Sequence, residues 1–127
     1  MRWHRVFVYG TLRRGGCNHG LVAQERLLGE HVTEPAYTML DVGPYPGVIT
    51  RGETAIRGEV YEVTPLTFQR LDELEDYPRN YTRQLIDTPW GEAWMYIYRP
   101  RGKRLPEVAL GDWFQRRAVA GDGGRGS

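Results

Sequence analysis

The chain has 127 residues, a net charge of +1 and 40% apolar residues, which suits one domain closing one core. This balance lacks the strong positive charge of a dedicated nucleic-acid binder. No apolar run approaches the roughly 18 residues that span a bilayer, and the single cysteine, Cys17, rules out an intrachain disulfide.

The first residues, Met1-Arg2-Trp3-His4-Arg5, carry no apolar stretch of the kind a signal peptide has, so a cytoplasmic location is expected. Val6-Phe7-Val8-Tyr9 then reads as a buried strand, β-branched and aromatic. It breaks abruptly into Gly10-Thr11-Leu12-Arg13-Arg14-Gly15. Gly10 lets the backbone turn and lets a ligand approach closely, and amides at such a turn can bind a carboxylate or a developing oxyanion. The loop is not a phosphate loop, because the Gly-Lys-Ser/Thr ending is missing. Arg13-Arg14 and Arg116-Arg117 read as solvated surface pairs. Cys17 with His19 two residues on is a poor nucleophile and base pair, since that spacing shares a face on a strand and this segment reads as loop entering a helix.

Strands are expected at 5–9, 27–33, 37–41, 47–49, 58–63, 82–87 and 93–98, separated by Gly, Pro or Asn. In the last of these, Trp94, Tyr96 and Tyr98 fall on one face. Helices are expected at 18–25, from 65 to 76 and at 111–118; Thr64 can cap the second with Pro65 at its first position. Residues 1–120 read as one domain and 121–127, without apolar residues, as a disordered tail. Seven short strands and few helices predict an α+β domain: a small mixed, partly closed β-barrel with two or three helices outside and a pocket at its mouth.

The helix at 65–76 can be read at about 100° per residue. With Phe68, Leu71 and Leu74 facing inward, Glu75 lies about 40° from the centre of that face, Asp72 about 100°, Asp76 about 140° and Glu73 about 160°. Glu75 is therefore the acid aimed at the core, at a helix end whose dipole disfavours a carboxylate. Both effects raise its pKa and suit a proton-transfer group. Periodicity equally allows Glu75 to turn to solvent or to pair with Arg79 or Arg83. His4, His19 and His31 are scattered and form no metal-ligand pattern.

Taken together, Val8 to Gly15 with Asn18-His19, then Pro44-Tyr45-Pro46, then Gly58-Glu59-Val60-Tyr61, then Leu71-Asp72-Glu73-Leu74-Glu75-Asp76-Tyr77-Pro78 with Tyr81 and Arg83, resemble the gamma-glutamylcyclotransferase-like family. The resemblance is strongest to its gamma-glutamylamine cyclotransferase branch and related bacterial proteins, and covers roughly residues 5–99. It implies a compact mixed barrel in which Tyr9, Gly10, Thr11 and Leu12 bind the substrate and Glu75 acts as general acid and base. The implied reaction is attack of the alpha-amine of a gamma-glutamyl compound on its own gamma-carbonyl, releasing 5-oxoproline and an amine or amino acid, with no metal or organic cofactor. Tyr45 and Pro46 would wall the pocket, and Tyr81 would bind substrate or orient Glu75, or else belong to the core. Arg83 could meet a substrate carboxylate or pair with a protein acid. A non-catalytic small-molecule binder of the same fold and a gamma-glutamyl hydrolase are the competing readings; the leaving amine and the oligomeric state are open.

Overall fold

The computed structural model describes residues 2–102 and 104–116. All seven expected strands form: β1 (His4–Val8), β2 (Arg26–Val32), β3 (Tyr37–Asp41), β4 (Pro46–Thr54), β5 (Arg57–Val63), β6 (Tyr81–Thr88) and β7 (Gly91–Tyr98). Five make one sheet in the order β2-β5-β1-β7-β6, and β3 and β4 pair separately. β1 runs antiparallel to β5, with Val6 opposite Tyr61, and parallel to β7, with Phe7 opposite Met95. As a central strand covered on both faces it must be apolar at every position, and Val6, Phe7 and Val8 are all buried.

The two-residue period of the strands sorts the side chains between two cores. Phe7, Val60, Met95 and Ile97 pack on one face with Met39 and Val48 of the β3–β4 pair. Val6, Val8, Tyr61 and Tyr96 pack on the other with Phe68 and Leu71 of the single α-helix, α1 (Pro65–Leu74). The alternation of β7 thus sends Trp94, Tyr96 and Tyr98 to the helix side, as the sequence predicts. Thr64 caps α1, its hydroxyl accepting the Thr67 amide at 3.2 Å, with Pro65 following where its missing N–H costs nothing.

Two expectations are corrected. The sheets do not close into a barrel: β2 and β6 remain edges of the five-stranded sheet. Trp90, in the β6–β7 turn, packs onto Gly29 of β2, where an added Cβ would lie 2.6 Å from its ring. That contact draws the edges together through a side chain rather than a backbone ladder, leaving a cavity of about 290 Å³ whose lining includes His31, Glu34, Asp87 and Glu92. The helices are also fewer. The segment expected as a helix at 18–25 is a 3₁₀ turn, His19–Leu21, because Asn18 is held by Thr11: its amide donates to the Thr11 carbonyl at 2.9 Å and its side chain to the Thr11 hydroxyl at 2.9 Å. Of the helix expected at 111–118, residues Trp113–Gln115 form another 3₁₀ turn, and 117–118 lie outside the described residues, as does the expected tail at 121–127. No helix among the described residues is long and apolar enough to cross a membrane.

Candidate active site

The site is built where β1 ends. Tyr9 follows the strand into the core, and Gly10 then turns the chain, with the Arg13 amide donating to the Gly10 carbonyl at 3.1 Å. Gly10 has to be glycine: a Cβ there would meet Cγ and Cδ of Pro46 at 2.6 and 2.7 Å. The loop at 10–12 and the start of β4 are therefore in direct contact. Tyr81 secures the same junction from β6, its hydroxyl donating to the Pro46 carbonyl at 2.7 Å and its ring packing against Tyr45 and Tyr98. Among the described residues the amides of Gly10, Thr11 and Leu12 donate to no other protein group.

Glu75 faces this loop from the end of α1. Its amide closes the last turn onto the Leu71 carbonyl at 3.0 Å, and Asp76 follows at φ 53°, ending the helix in the left-handed region. The inward face is not centred as the sequence predicts. Leu74 is 42% exposed, whereas Thr67, Phe68 and Leu71 are buried. Glu75 is one turn beyond Leu71 and two beyond Phe68, so this recentring aims it at the core more directly. Its rivals for a cation are served elsewhere. Arg83 takes Asp72 bidentately at 3.0 and 3.1 Å, and Arg79 lies 3.3 Å from Asp76. Among the described residues the Glu75 carboxylate has no hydrogen-bond or ion-pair partner. Burial without a partner pushes its pKa up from 4.5 to about 7.

Two connected spaces meet at this carboxylate. An inner recess of about 30 Å³, room for a water-sized group, is lined by Tyr9, Gly10, Thr11 and Leu12 with Pro46, Tyr96 and Glu75. An outer cavity of about 300 Å³, large enough for a small ligand, is lined by Thr11, Tyr45, Glu75 and Tyr81 with Cys17, Asn18 and others. Thr11, Tyr45 and Glu75 border both. All eight residues singled out from the sequence, Tyr9, Gly10, Thr11, Leu12, Tyr45, Pro46, Glu75 and Tyr81, thus line one composite site. Among the described residues no group of three His, Cys, Asp or Glu side chains is placed to hold a metal ion.

The family model described as "Gamma-glutamyl cyclotransferase, AIG2-like" matches residues 6–115. The chain belongs to this family. A Vibrio cholerae protein, itself named only provisionally as a gamma-glutamylcyclotransferase, is 46% identical over 113 residues, covering 89% of this chain and 97% of the relative. The Escherichia coli gamma-glutamylcyclotransferase family protein YtfP is 38% identical over 88% of this chain and 97% of its own, and its solution structure superposes with a TM-score of 0.71. The crystal structure of PH0828 from Pyrococcus horikoshii superposes with a TM-score of 0.72 at 32% identity, covering 87% of this chain and 89% of that one.

Within this family fold, sequence reasoning missed the groups that hold the loop. Arg13, expected at the surface, is buried and donates to Asp112 at 2.7 Å while lying over the Phe114 ring. Buried Glu59 of β5 accepts the Arg14 amide at 3.0 Å and the Tyr61 hydroxyl at 2.9 Å. The first two residues after the loop are thus tied to β5 and to the C-terminal segment. The signal for Glu59 was its place in the strand: it shares a face with the apolar Tyr61 and Val63, and an inward acid needs partners such as these. Arg83 does not line either space; it stacks over Phe68, Tyr77 and Trp94 and serves Asp72. Nor does Cys17 sit on a helix with His19 as a base, since the His19 Nδ1 lies 3.0 Å from the Leu12 carbonyl.

Proposed function

We propose that this protein is a gamma-glutamyl cyclotransferase that forms 5-oxoproline, with Glu75 as the proton-transfer group and the loop Tyr9–Leu12 as the substrate-holding element. The observation that carries this reading is the Glu75 carboxylate, without a protein partner, across a recess from three loop amides without acceptors. A pKa of about 7 lets one group take a proton and return it near neutrality.

The reaction follows from that pairing. The gamma-glutamyl chain binds bent, with its gamma-carbonyl toward the loop amides. Glu75 removes a proton from the alpha-ammonium, and the freed amine attacks the gamma-carbonyl of the same molecule. Because both reacting groups belong to one molecule, holding the bend supplies much of the acceleration. Loop N–H groups stabilise the tetrahedral oxyanion, and Glu75 then delivers its proton to the departing nitrogen. The C–N bond to the leaving group breaks as the ring amide forms, and the ring nitrogen's remaining extra proton passes to the released amine, which departs as an ammonium, so no water is consumed. The outer cavity accommodates the leaving amine.

Incubation with a panel of gamma-glutamylamines, gamma-glutamyl amino acids and gamma-glutamyl peptides, with products identified by mass, tests the reading. 5-Oxoproline is expected from at least one member. Glutamate would indicate hydrolysis, and ligand-induced stabilisation without turnover would indicate a binding protein. Glu75→Gln is expected to bind but not turn over; unchanged turnover would remove Glu75 from its role.

A further inference from the structure

Of the tyrosines that line the site with Glu75, three have the hydroxyl proton already committed. Tyr9 donates to the Tyr96 carbonyl at 2.9 Å, Tyr81 to the Pro46 carbonyl at 2.7 Å, and Tyr96 to Asp72 Oδ1 at 2.7 Å. Tyr9 and Tyr96 line the inner recess beside Glu75, and Tyr81 the outer cavity. A phenolic oxygen has one proton and two lone pairs, so a tyrosine whose proton is spent can only accept. We propose that Tyr96 and Tyr81, with Tyr9 in a lesser part, form an acceptor-only collar that binds the substrate's alpha-ammonium and withholds a hydrogen bond from Glu75. This assignment rests on the gamma-glutamyl reading, since it is the alpha-ammonium that such a collar would recognise.

Tyr96 is the strongest member because its proton is held by a charge. Asp72 is locked by the bidentate Arg83, which lies over three aromatic rings, so a carboxylate fixed in place takes the Tyr96 proton and leaves the oxygen's lone pairs free. Tyr81 is held by a carbonyl whose own position is set by the Gly10–Pro46 contact. Tyr9 contributes least, because its proton is held by a neutral carbonyl and it borders only the inner recess. Burial first, and with it the nearby charge of Glu75, raises the pKa of all three tyrosines, so each keeps its proton.

The collar has two consequences. A carboxylate accepting hydrogen bonds from these three hydroxyls would be stabilised as the anion and would lose its proton too early to serve as a base near neutrality; with their protons spent elsewhere, the three tyrosines do not supply those bonds. An ammonium entering the recess meets oxygen lone pairs and a carboxylate, whereas a neutral or acylated alpha-nitrogen forfeits those contacts. Recognition of the ammonium and tuning of the base are then done by the same atoms.

Binding and rate measurements on Tyr96→Phe test this, with a gamma-glutamylamine and its des-amino analogue, the corresponding glutaric acid monoamide, as paired ligands. Affinities are measured in the Glu75→Gln background, so that neither ligand is consumed. Tyr96→Phe is expected to weaken the gamma-glutamylamine by about tenfold or more, the loss of one hydrogen bond to a charged group, and to leave the des-amino analogue within about twofold. In the Glu75-containing enzyme, the acid limb of kcat/KM is expected to stay in place or move to lower pH. Equal weakening of both ligands, no weakening of either, or an acid limb moved to higher pH would overturn the collar, the last because it would mean Tyr96 donates to Glu75. Tyr81→Phe supplies the same comparison should Tyr96→Phe not fold. If the unmodified enzyme neither binds nor turns over any gamma-glutamyl compound, the functional reading fails instead, and the two failures are distinct.

Discussion

Glu75→Gln should make the protein more stable in a way that depends on pH. In the folded chain burial raises the Glu75 pKa from 4.5 to about 7. Between those two values the native state holds a proton that the unfolded chain has released, so stability contributed by this residue falls as pH rises. At about 1.4 kcal/mol per pH unit the full span corresponds to about 3 kcal/mol, an upper value because the carboxylate borders open cavities that water can enter. Glutamine stays neutral throughout and does not incur this penalty. Urea unfolding of both proteins at pH 4 and pH 8.5 measures the effect. The stability difference in favour of the variant is expected to grow by about 2–3 kcal/mol between the two conditions, while turnover is lost. A difference that is the same at both pH values, or that moves in favour of the unsubstituted protein as pH rises, would refute the argument that Glu75 is buried without a partner. It would point to a cation or donor holding the anion.

The remaining expectations concern the loop, its anchors and the rim. The acid limb of kcat/KM should fall near pH 7, because only the deprotonated Glu75 can accept the ammonium proton; a limb near pH 4.5 in a pH–rate profile would contradict it. Gly10→Ala places a methyl group 2.6 Å from Pro46 and must part the loop from β4; a stability loss of about 1–3 kcal/mol and a kcat/KM loss of about 100-fold are expected from denaturation and initial rates. Asp112→Ala leaves Arg13 buried with its closest partner gone, and should cost about 3–5 kcal/mol in urea unfolding. Tyr45→Ala removes an exposed side chain that borders both spaces, so KM should rise while stability stays within about 0.5 kcal/mol.

Much of this site is legible in the sequence because two local rules converge on it. The break from Val6–Tyr9 into Gly10 marks a strand end with free amides, and helical periodicity selects Glu75 among four neighbouring acids. The strands are legible for the same reason, since alternation such as that of Trp94, Tyr96 and Tyr98 is a local property. What pattern does not carry is the identity of long-range polar partners. Arg13 looks like one of a solvated pair until Asp112, 99 positions away, is folded against it. Asp72 sits toward the side of its helix by periodicity, and only the arrival of Arg83 and Tyr96 from β6 and β7 gives it partners. Barrel closure fails at a similar level. The strand count permits it, but the edges β2 and β6 meet only through Trp90 seated on Gly29 and not through a backbone ladder, a contact between segments that no local spacing announces.

In the proposed reaction Glu75 and the Tyr9–Leu12 loop drive an intramolecular cyclisation and not an attack by water. Mass spectrometry of the product formed in H₂¹⁸O from a gamma-glutamylamine tests it most directly. The expected product is 5-oxoproline without ¹⁸O, formed by the unsubstituted protein and not by Glu75→Gln; glutamate carrying ¹⁸O in its gamma-carboxylate, or product formation undiminished by the substitution, would contradict it.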